Sequence, residues 1–114
     1  MRNITVSAIQ MSVPETPEKS IDKADRLVRQ AAAEGAQVIL LPELFENWYF
    51  CQERRYDSYR LASPVDENPA VQHFRKVAAE LGVALPVSFY EQDGNVLYNS
   101  IAMIDADGSV LGVY

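Results

Sequence analysis

Cysteine, histidine and glycine are all scarce in this chain, and each scarcity removes a class of function. The single cysteine, Cys51, has no partner for an intrachain disulfide, so the fold cannot rest on a disulfide framework. His73 is the only histidine, set beside Phe74 and Arg75 with no cysteine or second histidine near it, so no zinc cluster can be read and the ring is assigned a structural or solvent-facing role. The five glycines are dispersed, and Gln10-Met11-Ser12-Val13-Pro14, where a nucleotide-binding βαβ unit carries its phosphate loop, contains none. Positive charge is short as well: 10 Lys and Arg against 16 Asp and Glu leave a net charge of -6, the wrong balance for a nucleic-acid partner. The one basic pair, Arg54 and Arg55, lies among Glu53, Tyr56 and Asp57 and reads as solvated loop. Long hydrophobic runs are missing too. Runs such as Val38 to Pro42 fall far below the roughly 18 residues that suggest a membrane span, and Met1 is followed by polar Arg2 and Asn3 rather than a signal-peptide core, so the expected compartment is the cytoplasm.

What remains is a globular composition, 48% hydrophobic and 23% charged over 114 residues, sufficient for one packed domain and too little for two. There is no internal repeat and no low-complexity segment. Ile4 to Gln10 mixes alternation with near-continuous apolarity, as in a strand covered on both faces. Thr16-Pro17-Glu18 supplies an N-cap, an N1 proline and an acidic first turn; Ile21, Ala24, Leu27, Val28, Ala31 and Ala32 then follow helical spacing up to Gly35. Val38 to Leu41, short, aliphatic and bounded by Gly35 and Pro42, predicts a buried strand parallel to the first, so the chain opens as a βαβ unit. Glu43 to Pro69 shows no period and is rich in aromatics (Phe45, Trp48, Tyr49, Phe50, Tyr56, Tyr59), which predicts an ordered loop that lines something. Phe74, Val77, Ala78 and Leu81 mark a second helix ending at Gly82, followed by a strand over Val83 to Tyr90. The turn sequences Asp93-Gly94-Asn95 and Asp105-Ala106-Asp107-Gly108 flank Val96 to Ile104 and predict an antiparallel meander, with another strand over Val110 to Tyr114.

Among residues that could carry chemistry, Glu43 stands out because it follows a buried strand directly, at the carboxyl end where parallel α/β sheets place their ligand sites. A partly desolvated carboxylate there suits a general base, although position alone favours a helix-capping or salt-bridged glutamate. Cys51 sits among bulky aromatics with no histidine or lysine near it in sequence and reads as a buried, inert thiol. Asn99-Ser100 is assigned a structural role, hydrogen bonding to backbone at a strand entry.

Four blocks in order then carry a family resemblance. Leu40-Leu41-Pro42-Glu43-Leu44-Phe45-Glu46, continued by Tyr49-Phe50-Cys51-Gln52, resembles the nitrilase superfamily of carbon–nitrogen hydrolases, and within it the N-carbamoylputrescine amidases. Gly82-Val83-Ala84-Leu85-Pro86-Val87-Ser88-Phe89-Tyr90-Glu91, Tyr98-Asn99-Ser100-Ile101-Ala102 and Asp105-Ala106-Asp107-Gly108 extend the resemblance over nearly the whole chain.

The resemblance implies an α/β fold, the N-terminal part of a nitrilase-type α-β-β-α sandwich with a βαβαβ start and an antiparallel meander, in which residues 1–114 are the first part of a single hydrolase domain. It implies a Cys-Glu-Lys triad with no metal or organic cofactor. Glu43 is then the general base, which takes the thiol proton during attack on a ureido or amide carbon and later activates water. Tyr49 and Glu46 fall in the stretch that lines the substrate entrance, where an acidic side chain suits the cationic tail of a small-molecule N-carbamoyl amine. The resemblance places the catalytic lysine shortly after the strand ending at Tyr114 and the nucleophilic cysteine farther on, so Cys51 matches a non-catalytic position and the 114 residues alone are expected to be inactive. It also implies a homo-oligomer for the complete enzyme. A change of substrate to another N-carbamoyl amine or acid, and a non-catalytic truncated module, are the competing expectations.

Overall fold

The structure, a computed structural model, describes residues 2–47 and 60–114. Its elements follow the order β1 (Val6–Ala8), α1 (Pro17–Ala33), β2 (Val38–Leu40), α2 (Pro69–Leu81), β3 (Leu85–Asp93), β4 (Val96–Ile104) and β5 (Val110–Val113). The βαβαβ opening and the meander are therefore as the sequence predicts. Strand β1 is shorter than the Ile4 to Gln10 reading, and the expectation of an ordered aromatic loop falls largely on residues 48–59, outside the described residues.

Both helices begin with the same device. Thr16 caps α1 by accepting from the Lys19 N–H with Pro17 at the first helical position, and Asn68 caps α2 by accepting from the Val71 N–H with Pro69 in the same place. Their ends are closed by Gly35 (φ 99) and Gly82 (φ 67), left-handed residues at which hydrogen bonds return to the last turn: Ala36 N–H reaches the Ala31 carbonyl and Gly82 N–H the Ala78 carbonyl.

β1 and β2 pair in parallel, and β3, β4 and β5 form an antiparallel sheet in that order. The two pieces join through a parallel bridge between Val38 and Ala84, where Ile39 N–H donates to the Ala84 carbonyl and Ala84 N–H to the Gln37 carbonyl. This junction sets β2 alongside β3, with the carboxyl end of β2 facing Ser88. The register alternates faces strictly: Leu85, Val87 and Phe89 oppose Ile104, Ala102 and Ser100, all buried beneath the helices. Ile21, Ala24 and Val28 of α1 and Val71, Phe74 and Val77 of α2 complete that core.

The other face is open. Val6 is 70% exposed and Leu40 45%, so the first strand is not covered on both faces as expected and the second is not wholly buried: only one layer of helices lies on the sheet. Here the structure shows the α–β half of the four-layer arrangement.

Away from the open face, the helices are joined by charge. Arg29 donates to Asp25 at 2.6 Å and in bidentate fashion to Glu80 at 3.0 and 2.9 Å, while His73 Nε2 lies 2.6 Å from the other Asp25 oxygen. Burial alone pushes the Asp25 carboxyl up, but the hydrogen bonds from Arg29 and His73 outweigh it and hold the group below its usual value. His73 thus has the structural role that its isolation in sequence suggests.

Gly108 closes the β4–β5 turn at φ 87, and a Cβ there would stand 2.6 Å from the Arg75 carbonyl oxygen of α2. Strain and overlap act together, so Gly108→Ala is expected to cost about 1–3 kcal/mol. Gly94→Ala, also left-handed but with open space around it, should cost less. Chemical denaturation of both variants checks this; equal losses would contradict the packing account.

Candidate active site

Glu43 leaves the carboxyl end of β2 through Pro42 and starts a tight turn over Glu43, Leu44, Phe45 and Glu46. The three residues after Glu43 anchor this turn. Leu44 is 4% exposed, Phe45 is fully buried with its ring edge-on to Phe74 at 5.8 Å, and Glu46 is 7% exposed. Glu43 itself is exposed, on the side of the sheet that the helices leave open. The sequence reading of a partly desolvated Glu43 is therefore not met within this chain, because the covering helices lie on the opposite face.

Leu44 has φ 49, a left-handed conformation that costs a non-glycine residue roughly 1–2 kcal/mol. It turns the Leu44 N–H toward β3, where the Ser88 hydroxyl accepts it at 2.9 Å. Ser88 is 5% exposed, on the open face of β3 between the buried Val87 and Phe89. From β4, the Asn99 side-chain amide donates to Glu43 Oε1 at 2.5 Å. The β3–β4 register explains the convergence, since Ser88 pairs with Ile101 and Tyr90 with Asn99, leaving Ser88 and Asn99 on one face, two residues apart.

Glu43, Ser88 and Asn99 meet in a cleft of about 400 Å³ whose apolar walls are Leu40, Leu41, Ile101 and Tyr114. An apolar cleft with a few convergent polar groups is the usual form of a small-molecule site. Asn99, read from sequence as a backbone-bonding residue, is corrected by this contact: its amide reaches a carboxylate 56 positions away. Ser100 also differs from that reading, its hydroxyl donating to Glu91 at 2.8 Å.

The structure separates Glu46 from the cleft. Its Oε2 accepts from Asn68 Nδ2 at 3.0 Å, and the same nitrogen donates to Ser63 Oγ at 3.1 Å. Ser63 is bridged to β3 through the Tyr90 carbonyl and the Gln92 N–H. The Glu46 carboxylate therefore ties the turn to the cap of α2. Tyr49 and Cys51 lie outside the described residues. Among the described residues no group of acidic, histidine or cysteine side chains is arranged to hold a metal ion, and no helix is long and apolar enough to cross a membrane.

Burial pushes the Glu46 carboxyl up from its ordinary value near 4.5; the Asn68 hydrogen bond opposes this and the Glu18 charge adds to it. A carboxyl raised on folding favours the folded state below its unfolded value and loses stability as pH rises through the folded one. Glu46→Gln, which keeps an acceptor and cannot ionise, should therefore match its parent at acid pH and become the more stable protein as pH climbs above about 4.5. Denaturation midpoints across this range provide the check; a difference that does not change with pH would contradict it.

Comparison with known proteins gives this geometry a family. The chain is 46% identical over 113 residues to an N-carbamoylputrescine amidase of Arabidopsis thaliana and 44% identical over 114 residues to a citrullinase of Francisella tularensis. It is covered to 99% and 100% by these alignments, but spans only 38% and 40% of the length of those relatives. Among solved structures, a carbon-nitrogen hydrolase from Helicobacter pylori G27 superposes with a TM-score of 0.88 at 25% identity, over 97% of this chain and 38% of the other. A Nesterenkonia AN1 amidase of the nitrilase superfamily, at 24% identity and a TM-score of 0.76, shares the fold over 97% of this chain and 42% of its own. The carbon-nitrogen hydrolase family model matches residues 5–114, and the chain belongs to that family.

Proposed function

We propose that the protein of which these residues form the matching part hydrolyses the carbon–nitrogen bond of a small N-carbamoyl amine, with Glu43 as general base. The observation that carries this is the Glu43 carboxylate itself: it sits at the carboxyl end of a parallel strand, on a strained and pinned turn, and faces an apolar cleft in a chain matched to the family over residues 5–114. The reaction adds water to a ureido group and releases the amine, ammonia and carbon dioxide. A thiol attacks the ureido carbon as Glu43 takes its proton and returns it to the departing ammonia; Glu43 then activates the water that cleaves the resulting S-carbamoyl intermediate, and the carbamate released loses carbon dioxide to give the amine. A lysine ammonium stabilises the oxyanion. In this reading thiol and ammonium come from the part of the protein that the relatives have and these 114 residues do not span.

The N-carbamoylputrescine amidases favour a substrate with a free cationic amine at the far end of an alkyl chain, and with it a place in polyamine synthesis. The citrullinase favours a second reading, in which the same ureido group is carried by an α-amino acid. Both use the same chemistry at Glu43 and differ only where the tail binds. We assign the tail contact to Tyr49 ahead of Glu46, whose carboxylate is engaged by Asn68. Ammonia release by the full-length protein from N-carbamoylputrescine and from citrulline decides between them. The first is expected to be the better substrate, and a higher kcat/KM for citrulline would reverse the assignment.

Two substitutions test the mechanism in the full-length protein. Glu43→Gln keeps the shape and removes the base, so turnover should fall at least about a hundredfold with thermal stability unchanged. Cys51→Ser should leave turnover within about a few-fold, where loss of a covalent nucleophile would remove about a thousandfold or more. Near-normal turnover in the first, or a collapse in the second, would overturn the respective role.

A further inference from the structure

Among the described residues, the carboxylate of Glu43 has one hydrogen-bond partner, the Asn99 amide, which donates to Oε1 at 2.5 Å and leaves Oε2 without one, and Glu43 lines the cleft. We propose that Asn99 is a positioning residue, which fixes the direction of the Glu43 carboxylate so that one oxygen is held and the other is presented to the reacting proton. The proposal rests on the reading of Glu43 as base.

Three observations support it. The backbone of the turn is already secured without Asn99, through Leu44 N–H to Ser88, the buried Phe45 and the Glu46–Asn68 bond. Those contacts leave undetermined the rotation of the exposed Glu43 side chain. A proton transfer needs the acceptor oxygen within hydrogen-bond reach and aligned, so a freely rotating carboxylate is productive for only part of the time.

The second observation is register. The β3–β4 pairing opposite Tyr90 points Asn99 to the open face, beside Ile101 and diagonal to Ser88. The third is chemical type. An amide N–H donates a charge-assisted hydrogen bond to a carboxylate but brings no counter-charge with it. A lysine or arginine in that place would hold Glu43 and quench it as a base. Asn99 is exposed and takes no part in the core, so removing its side chain leaves the packing beneath the helices intact.

A double-mutant cycle in the full-length protein tests the proposal, with ammonia release from N-carbamoylputrescine and from citrulline as the readout. Asn99→Ala is expected to lower kcat by about tenfold or more with KM changed less than about twofold and the melting temperature unchanged, and Asn99→Gln, which keeps the amide on a longer arm, to recover part of the loss. In the Glu43→Gln background, adding Asn99→Ala should change the residual turnover by less than about twofold, because Asn99 acts only through the carboxylate. The same loss in both backgrounds, or a rise in KM with kcat preserved, would overturn the proposal and make Asn99 a structural or substrate contact. Full turnover in Glu43→Gln alone would remove the base assignment first, and this result separates that failure from a failure specific to Asn99.

Discussion

Leu44 is the one non-glycine residue with positive φ among the described residues, and its N–H is buried where water cannot serve it. A buried donor without an acceptor costs about 1–3 kcal/mol, on top of the strain of the left-handed backbone. The Ser88 hydroxyl removes the first cost and thereby makes the second tolerable. The candidate site depends on this arrangement. A relaxed Leu44 would redirect the chain that follows it and break the contacts of Phe45 and Glu46 that hold the turn carrying Glu43.

The turn is held from both sides by different chemistry. Toward the helices, Phe45 fills the core with its ring edge-on to Phe74, a contact that fixes the depth of the turn. Toward β3 and the cap of α2, the Ser88 and Asn68 hydrogen bonds are directional, and they fix angle. The charged network of Asp25, Arg29, His73 and Glu80 stands apart from these contacts and joins the two helices across their exposed side. Its exposed members are screened by solvent, so it contributes alignment more than stability. The turn thus shares Phe74 and Asn68 with α2 but none of the charged network, and Asn99, outside both, can be altered without disturbing the core.

Much of this is legible in the sequence for identifiable reasons. Thr16-Pro17 and Gly35, and the helical spacing between them, act locally, and α1 appears between them. Asn68-Pro69 repeats the Thr16-Pro17 signal and marks the start of α2 just as clearly, though it stands at the end of a long segment without periodicity that masks it. Glu43 is visible because position after a buried parallel strand is itself a local property. Ser88 and Asn99 are not visible in this way. The two-residue turn at Gly94-Asn95 fixes the pairing of Asp93 with Val96 and so of Tyr90 with Asn99, but it does not say that β3 lies beside β2. That information resides in the Val38–Ala84 bridge, a contact between residues far apart in sequence with no motif of its own. The same distance explains why the sequence overstates the burial of Glu43 and of both faces of β1: alternation shows which residues share a face, and does not show whether a second layer covers it.

Hydrogen exchange at the Leu44 amide measures the constraint on which the site depends. In the full-length protein that N–H should exchange as slowly as the core amides of β3, because release requires both the Ser88 bond and the packing of Phe45 to open together. Exchange at the rate of an exposed loop amide would show that the turn is not pinned, and would contradict the account of how Glu43 is held.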